Sequence, residues 1–99
     1  MDNEELYRAA VHEFYEVYNP LRKKYNLRLH SHFSIYDDGY IEIWQYRGET
    51  RTRRVCWVKE SDDIEVYKRA TEYMRDFERR EAEKERATYA EKTEFLKRA

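Results

Sequence analysis

The chain is short of the residues that end, bend or cross-link a polypeptide: one cysteine, one proline and two glycines in 99 residues. A lone Cys56 excludes an intramolecular disulfide framework and fits a reducing compartment. Two glycines exclude a glycine-rich phosphate loop, and both stand where a hairpin turn is expected. No apolar run approaches the roughly 18 residues of a membrane-crossing helix. The opening Met1-Asp2-Asn3-Glu4-Glu5 is acidic and helix-starting, unlike a signal peptide. A net charge of −1 lacks the basic excess usual in dedicated nucleic-acid domains. Aliphatic residues are also scarce, with five Leu, four Ile and five Val beside four Phe. In a chain of high net charge that poverty signals disorder. Here ten tyrosines and two tryptophans supply the missing apolar area. We therefore expect one small, soluble, cytoplasmic α+β domain with no membrane partner and no cofactor.

Residues 3–18 read as an amphipathic helix. Asp2 or Asn3 can cap it, and Glu5 stands three residues after Asp2, at capping-box spacing. Leu6, Ala10, Phe14, Val17 and Leu21 recur along one face, widened by Tyr7, Val11 and Tyr18. Asn19-Pro20 is expected to interrupt it, leaving Leu21 to Tyr25 as a short separate turn. The period then changes to two over Leu27–Tyr36, Tyr40–Arg47 and Arg51–Lys59, with turns at 37–39 and 48–50. A three-residue first loop pairs Ile35 with Ile41 and Phe33 with Ile43. At the second turn, a two-residue loop would place Arg54 opposite Ile43 on the core face. An unpaired buried arginine is costly, so a three-residue loop is expected, pairing Ile43 with Val55 and Ile41 with Trp57. Ser61 is expected to cap the last helix, whose buried stripe is Ile64, Tyr67, Ala70, Thr71, Met74 and Phe77. Nothing stops that helix before about residue 97. The reading is α-β-β-β-α over 1–78, with a charged helical extension over 79–99.

That register turns a set of side chains away from the helices: His30, Tyr46 and Thr52; His32, Trp44 and Arg54; Ser34, Glu42 and Cys56; Tyr36, Tyr40 and Val58. So much aromatic area on one face is the kind of patch that marks a binding surface. Tyr36, Tyr40, Trp44, Tyr46 and Arg54 are the expected partner anchors. Tyr89, Phe95 and Leu96 on the extension are a second contact, which could also serve a homodimer. Tyr, Trp and Arg are residues that protein interfaces enrich.

Charge is segregated beneath the near-zero total. Residues 1–20 carry five acids and one base, and residues 21–60 carry nine bases and five acids. Arg22, Lys23, Lys24, Arg28, Arg51, Arg53 and Arg54, interleaved with aromatics, form an alternative nucleic-acid or ribonucleoprotein surface. Metal or nucleophilic chemistry would have to come from His30 and His32 with Glu42 and Cys56, and no local signature supports it. No catalytic residue is expected.

The element order over residues 3–78 resembles that of double-stranded-RNA-binding domains. In those domains a lysine cluster opens the last helix and grips phosphate; here Ser61-Asp62-Asp63 stands there and repels it. Size, charge density and element order also look like small phage-encoded inhibitors of bacterial defence, some anti-CRISPR proteins among them. The function expected is that of a non-enzymatic module that binds a macromolecular partner, a protein first, as such an inhibitor would.

Overall fold

The computed structural model describes residues 2–98. Helix α1 (Asn3–Tyr25) is followed by strands β1 (Leu27–His32), β2 (Gly39–Arg47) and β3 (Thr50–Glu60), and helix α2 (Asp63–Arg98) closes the chain. The strands form an antiparallel meander in the order β1-β2-β3, and both helices lie on one face of it.

Of the two expected caps, Asp2 is the one used: its Oδ1 accepts the N–H of Glu5 at 2.8 Å. Asn19-Pro20 does not interrupt α1, contrary to expectation. Tyr18 and Leu21, on either side of it, are both buried, and this packing holds the helix through a missing hydrogen bond. The helix ends at Asn26, whose φ of 54° and ψ of 61° are left-handed and whose N–H closes on the Arg22 carbonyl.

Both hairpins differ from the predicted register. In the first, Leu29 faces Ile43 and His32 faces Tyr40, so residues 33–38 lie outside the strands. Ile35 and Tyr36 are 91% and 87% exposed on this loop, and Ile35 is not a core residue. Phe33 turns inward instead and stacks on Tyr67 at 5.3 Å and 8°. In the second, the turn holds two residues, Gly48 and Glu49, with Gly48 at φ 63° as a type II′ turn asks of its first central residue. The register then shifts twice, between Ile43 and Trp44 and between Gln45 and Tyr46. These bulges bring Cys56 opposite Ile43 and Val58 opposite Ile41, where Val55 and Trp57 were expected. Arg54 is kept off the core, as the burial argument requires, by bulges rather than by a longer loop.

Asp62, not Ser61, caps α2: its Oδ1 accepts the N–H of Ile64 at 3.0 Å. The buried face of α2 runs through Val66, Tyr67, Ala70, Thr71, Met74 and Phe77, with Ile64 half-buried. Phe14, Ile41, Ile43, Val58, Val66 and Met74 fill the centre. Each such large side chain contributes about 1.5–3 kcal/mol by leaving water. Glu85 ties α2 to the end of α1, accepting from Tyr25 Oη at 2.9 Å and Lys24 Nζ at 3.3 Å. Beyond it the helix projects, and the long dimension of the molecule is 62 Å.

Gly39 starts β2 against Phe33. A Cβ there would lie 2.7 Å from Phe33 Cδ1 and 2.8 Å from Asp63 Oδ1. Gly39→Ala is expected to destabilise the protein by about 1–3 kcal/mol through overpacking, measured by urea unfolding.

Candidate macromolecule-binding face

Alternation along the strands, corrected for the bulges, decides which side chains look away from the helices. Arg28, His30 and His32 come from β1; Tyr40, Glu42, Trp44 and Tyr46 from β2; Arg51, Arg54, Trp57 and Lys59 from β3. Neither helix covers them. His32 stacks on Tyr40 at 5.8 Å, and Tyr40 tilts against Trp57 at 5.3 Å. The Arg54 guanidinium lies 5.6 Å from the centre of Trp57, and its Nη1 lies 3.8 Å from Glu42. Glu42 also accepts the indole N–H of Trp44 at 2.7 Å. Arg51 lies over Trp44 at 4.9 Å while its Nε donates to Tyr46 Oη at 3.1 Å, and Arg28 covers Tyr46 at 4.1 Å. Rings and guanidiniums, joined at the middle by the Glu42 carboxylate, thus form one chain of contacts across all three strands. The bond to Tyr46 pushes the Arg51 pKa further above its ordinary value, so its charge is permanent.

These contacts restrict side chains that would otherwise be mobile, which lowers the entropy lost when a partner binds. Chemically the face offers π surfaces flanked by cations, with Glu42 as an internal counter-charge.

Of the expected anchors, Tyr40, Trp44, Tyr46 and Arg54 do share this face. Tyr36 does not; it sits on the 33–38 loop, its N–H bonded to Ser34 Oγ. Trp57, expected in the core, belongs to the face and is 39% exposed. Its signal was a change of phase within β3: Cys56 and Val58 share one parity, Arg53 and Val55 the other. Tyr89, Phe95 and Leu96 stand 74%, 71% and 71% exposed on the projecting part of α2.

The basic residues are divided. Arg28, Arg51 and Arg54 are on the sheet face. Arg53 points to the helix side, over Phe77 at 5.3 Å, and donates to Glu81 at 2.7 Å and Gln45 at 3.1 Å. Burial works to raise the Glu81 pKa; the bonds from Arg53 and Lys84 outweigh it and hold the carboxyl below its ordinary value. Lys24 is paired with Glu85, while Arg22 and Lys23 are exposed on the last turn of α1.

The His32, Glu42 and Cys56 combination does not assemble, because Cys56 turns into the core. Among the described residues no group of three His, Cys, Asp or Glu side chains is placed to hold a metal ion. No described helix is long and apolar enough to cross a membrane. Fold and face together define a small α+β domain with a one-sided sheet. No family model, curated protein or solved structure matches the chain.

Cys56 is 2% exposed and desolvation pushes its thiol up to about 12. At about pH 8 the folded protein is expected to react with a disulfide reagent at least about a hundredfold more slowly than the urea-unfolded chain. The release of coloured thiolate measures this directly.

Proposed function

We propose that the chain is a non-enzymatic interaction module that engages a protein partner through the open sheet face, with the projecting end of α2 as a second contact. The observation that carries this reading is the uncovered row of Tyr40, Trp44, Tyr46 and Trp57, three of whose rings lie beside the guanidiniums of Arg28, Arg51 and Arg54. Such a row combines large contact area with little remaining side-chain freedom, the property of interface hot spots. Tyr89, Phe95 and Leu96 support the second contact by their exposure on a helix that has left the body of the domain. Inhibition of a host defence complex, as by small phage or mobile-element proteins, is the finer form of this proposal. It rests on the resemblance in size, charge density and element order alone.

Trp44→Ala is expected to leave the urea midpoint nearly unchanged and to weaken capture of the partner from host extract at least about tenfold. Capture equal to the parent protein's would overturn the reading. Removing residues 87–99 separates the two contacts: the fold is expected to persist and affinity to fall.

A second reading, an RNA- or DNA-binding module, is favoured by the shared face of Arg28, Arg51, Arg54 and the aromatic rings. Against it, Arg53 and Lys24 are already bonded to Glu81 and Glu85. If it holds, single-stranded oligonucleotides bind at low salt and their affinity falls steeply between about 50 and 200 mM. Absence of any shift at 50 mM removes it.

A further inference from the structure

Most arginines of this chain meet a carboxylate, as Arg53 meets Glu81 and Arg75 meets Glu13. On the sheet face Arg28 pairs with Glu49 at 3.3 Å and Arg54 with Glu42 at 3.8 Å. Arg51, the third arginine of that face, has no carboxylate partner among the described residues.

Arg51 is nevertheless held. Its guanidinium lies 4.9 Å from the centre of the Trp44 ring, and its Nε donates to Tyr46 Oη at 3.1 Å. Both supports are themselves fixed: Arg28 covers Tyr46 at 4.1 Å, and Glu42 accepts the Trp44 indole N–H at 2.7 Å. A guanidinium carries five N–H donors in a rigid fork, and the bond to Tyr46 spends only the one at Nε. The two Nη groups are the end that takes an anion side by side. A loose surface arginine loses rotamer freedom when it pairs. Here folding has already taken much of that loss. An arginine that is oriented and unmatched is prepared for an anion brought from outside.

The fork suits carboxylate and phosphate alike, and the neighbours decide between them. Glu42 and Glu49 lie on the same face beside Arg54 and Arg28, so a run of phosphates laid across it would meet fixed negative charge. Lys59 stands opposite Tyr40, at the far end of β3 from Arg51. A polyanion needs a track of cations. One oriented cation among rings instead fits one carboxylate set among apolar side chains. Resting on the sheet face as the docking surface, we infer that Arg51 is its specificity-determining residue and reads a single Asp or Glu side chain of a protein partner, flanked there by apolar residues.

The test uses the full chain and three probes: a blocked tripeptide of glutamate between two phenylalanines, the same tripeptide with glutamine, and octathymidylate. The glutamate peptide is expected to move the Arg51 Nε–H and Trp44 indole N–H signals in NMR spectra at a concentration at least about fivefold lower than the glutamine peptide. Arg51→Gln is expected to abolish that preference, Arg51→Lys to reduce it because the charge stays and the fork goes, and Lys59→Gln to leave it unchanged. Equal response to the two tripeptides, or a preference that survives Arg51→Gln, would overturn the inference. So would octathymidylate moving the Arg28, Arg51 and Arg54 signals together at lower concentration than the glutamate peptide, a result that makes nucleic acid the occupant. With the partner from host extract, Trp44→Ala and Arg51→Gln are compared. Capture weakened by the first alone overturns the role of Arg51 and leaves the docking face standing; capture unchanged by either overturns both.

Discussion

The bulges in β3 are the constraint on which the other features rest. A plain two-residue hairpin at Gly48-Glu49 would drive Arg54 into the core opposite Ile43, and burying that charge without a partner would cost several kcal/mol. Two register shifts remove the conflict at the local cost of two broken rungs. Their consequences reach both sides of the sheet. Inward, Cys56 and Val58 join Met74 and Phe14 in the buried core. Outward, Arg54 and Trp57 join Trp44 and Tyr46. Between the shifts, Arg53 is left on the helix side, where it covers Phe77 and bonds Glu81.

The aromatic surplus divides along the same line. Tyr67 is the centre of the buried share, packed edge-on to Tyr7 and Phe14 and stacked on Phe33. With few aliphatic residues, these rings supply the area that holds α1, α2 and the first hairpin together. The outward share cannot be core, because the helices occupy only one face of the sheet. It is instead held in place by guanidiniums from neighbouring strands. The same one-sided packing leaves β1 as an edge with little cover. It also leaves α2 far longer than the surface it packs on.

The elements themselves were readable. Helical spacing located α1 and α2, period two located the strands, and the cap of α1 was narrowed to Asp2 or Asn3, of which Asp2 is used. The absence of glycine and proline after Phe77 predicted the long final helix. Registers were less accessible. Alternation cannot tell a six-residue loop from a three-residue one when Ile35 and Tyr36 continue the apolar pattern through it. Nor can it reveal that Phe33 finds its partner in Tyr67, 34 positions along the chain. The candidate face was therefore partly visible: Tyr40, Trp44 and Tyr46 came through because β2 keeps one parity over its length, and Arg54 because the expected loop and the observed bulge both set it opposite Trp44. Tyr36 and Trp57 changed places because each lies beyond a break in the ladder.

Composition and periodicity thus determined the class of fold, the existence of an aromatic surplus too large for the core, and a charged helix with nothing to end it. They did so because helices and strands are local, set by neighbours within a few residues. Tertiary structure alone decided which tyrosines and tryptophans are exposed, which arginines are already paired, and which strand edge is free. Those outcomes depend on register, and register is a compromise among contacts that are distant in sequence, in which one arginine kept out of the core outweighs the regularity of an entire strand.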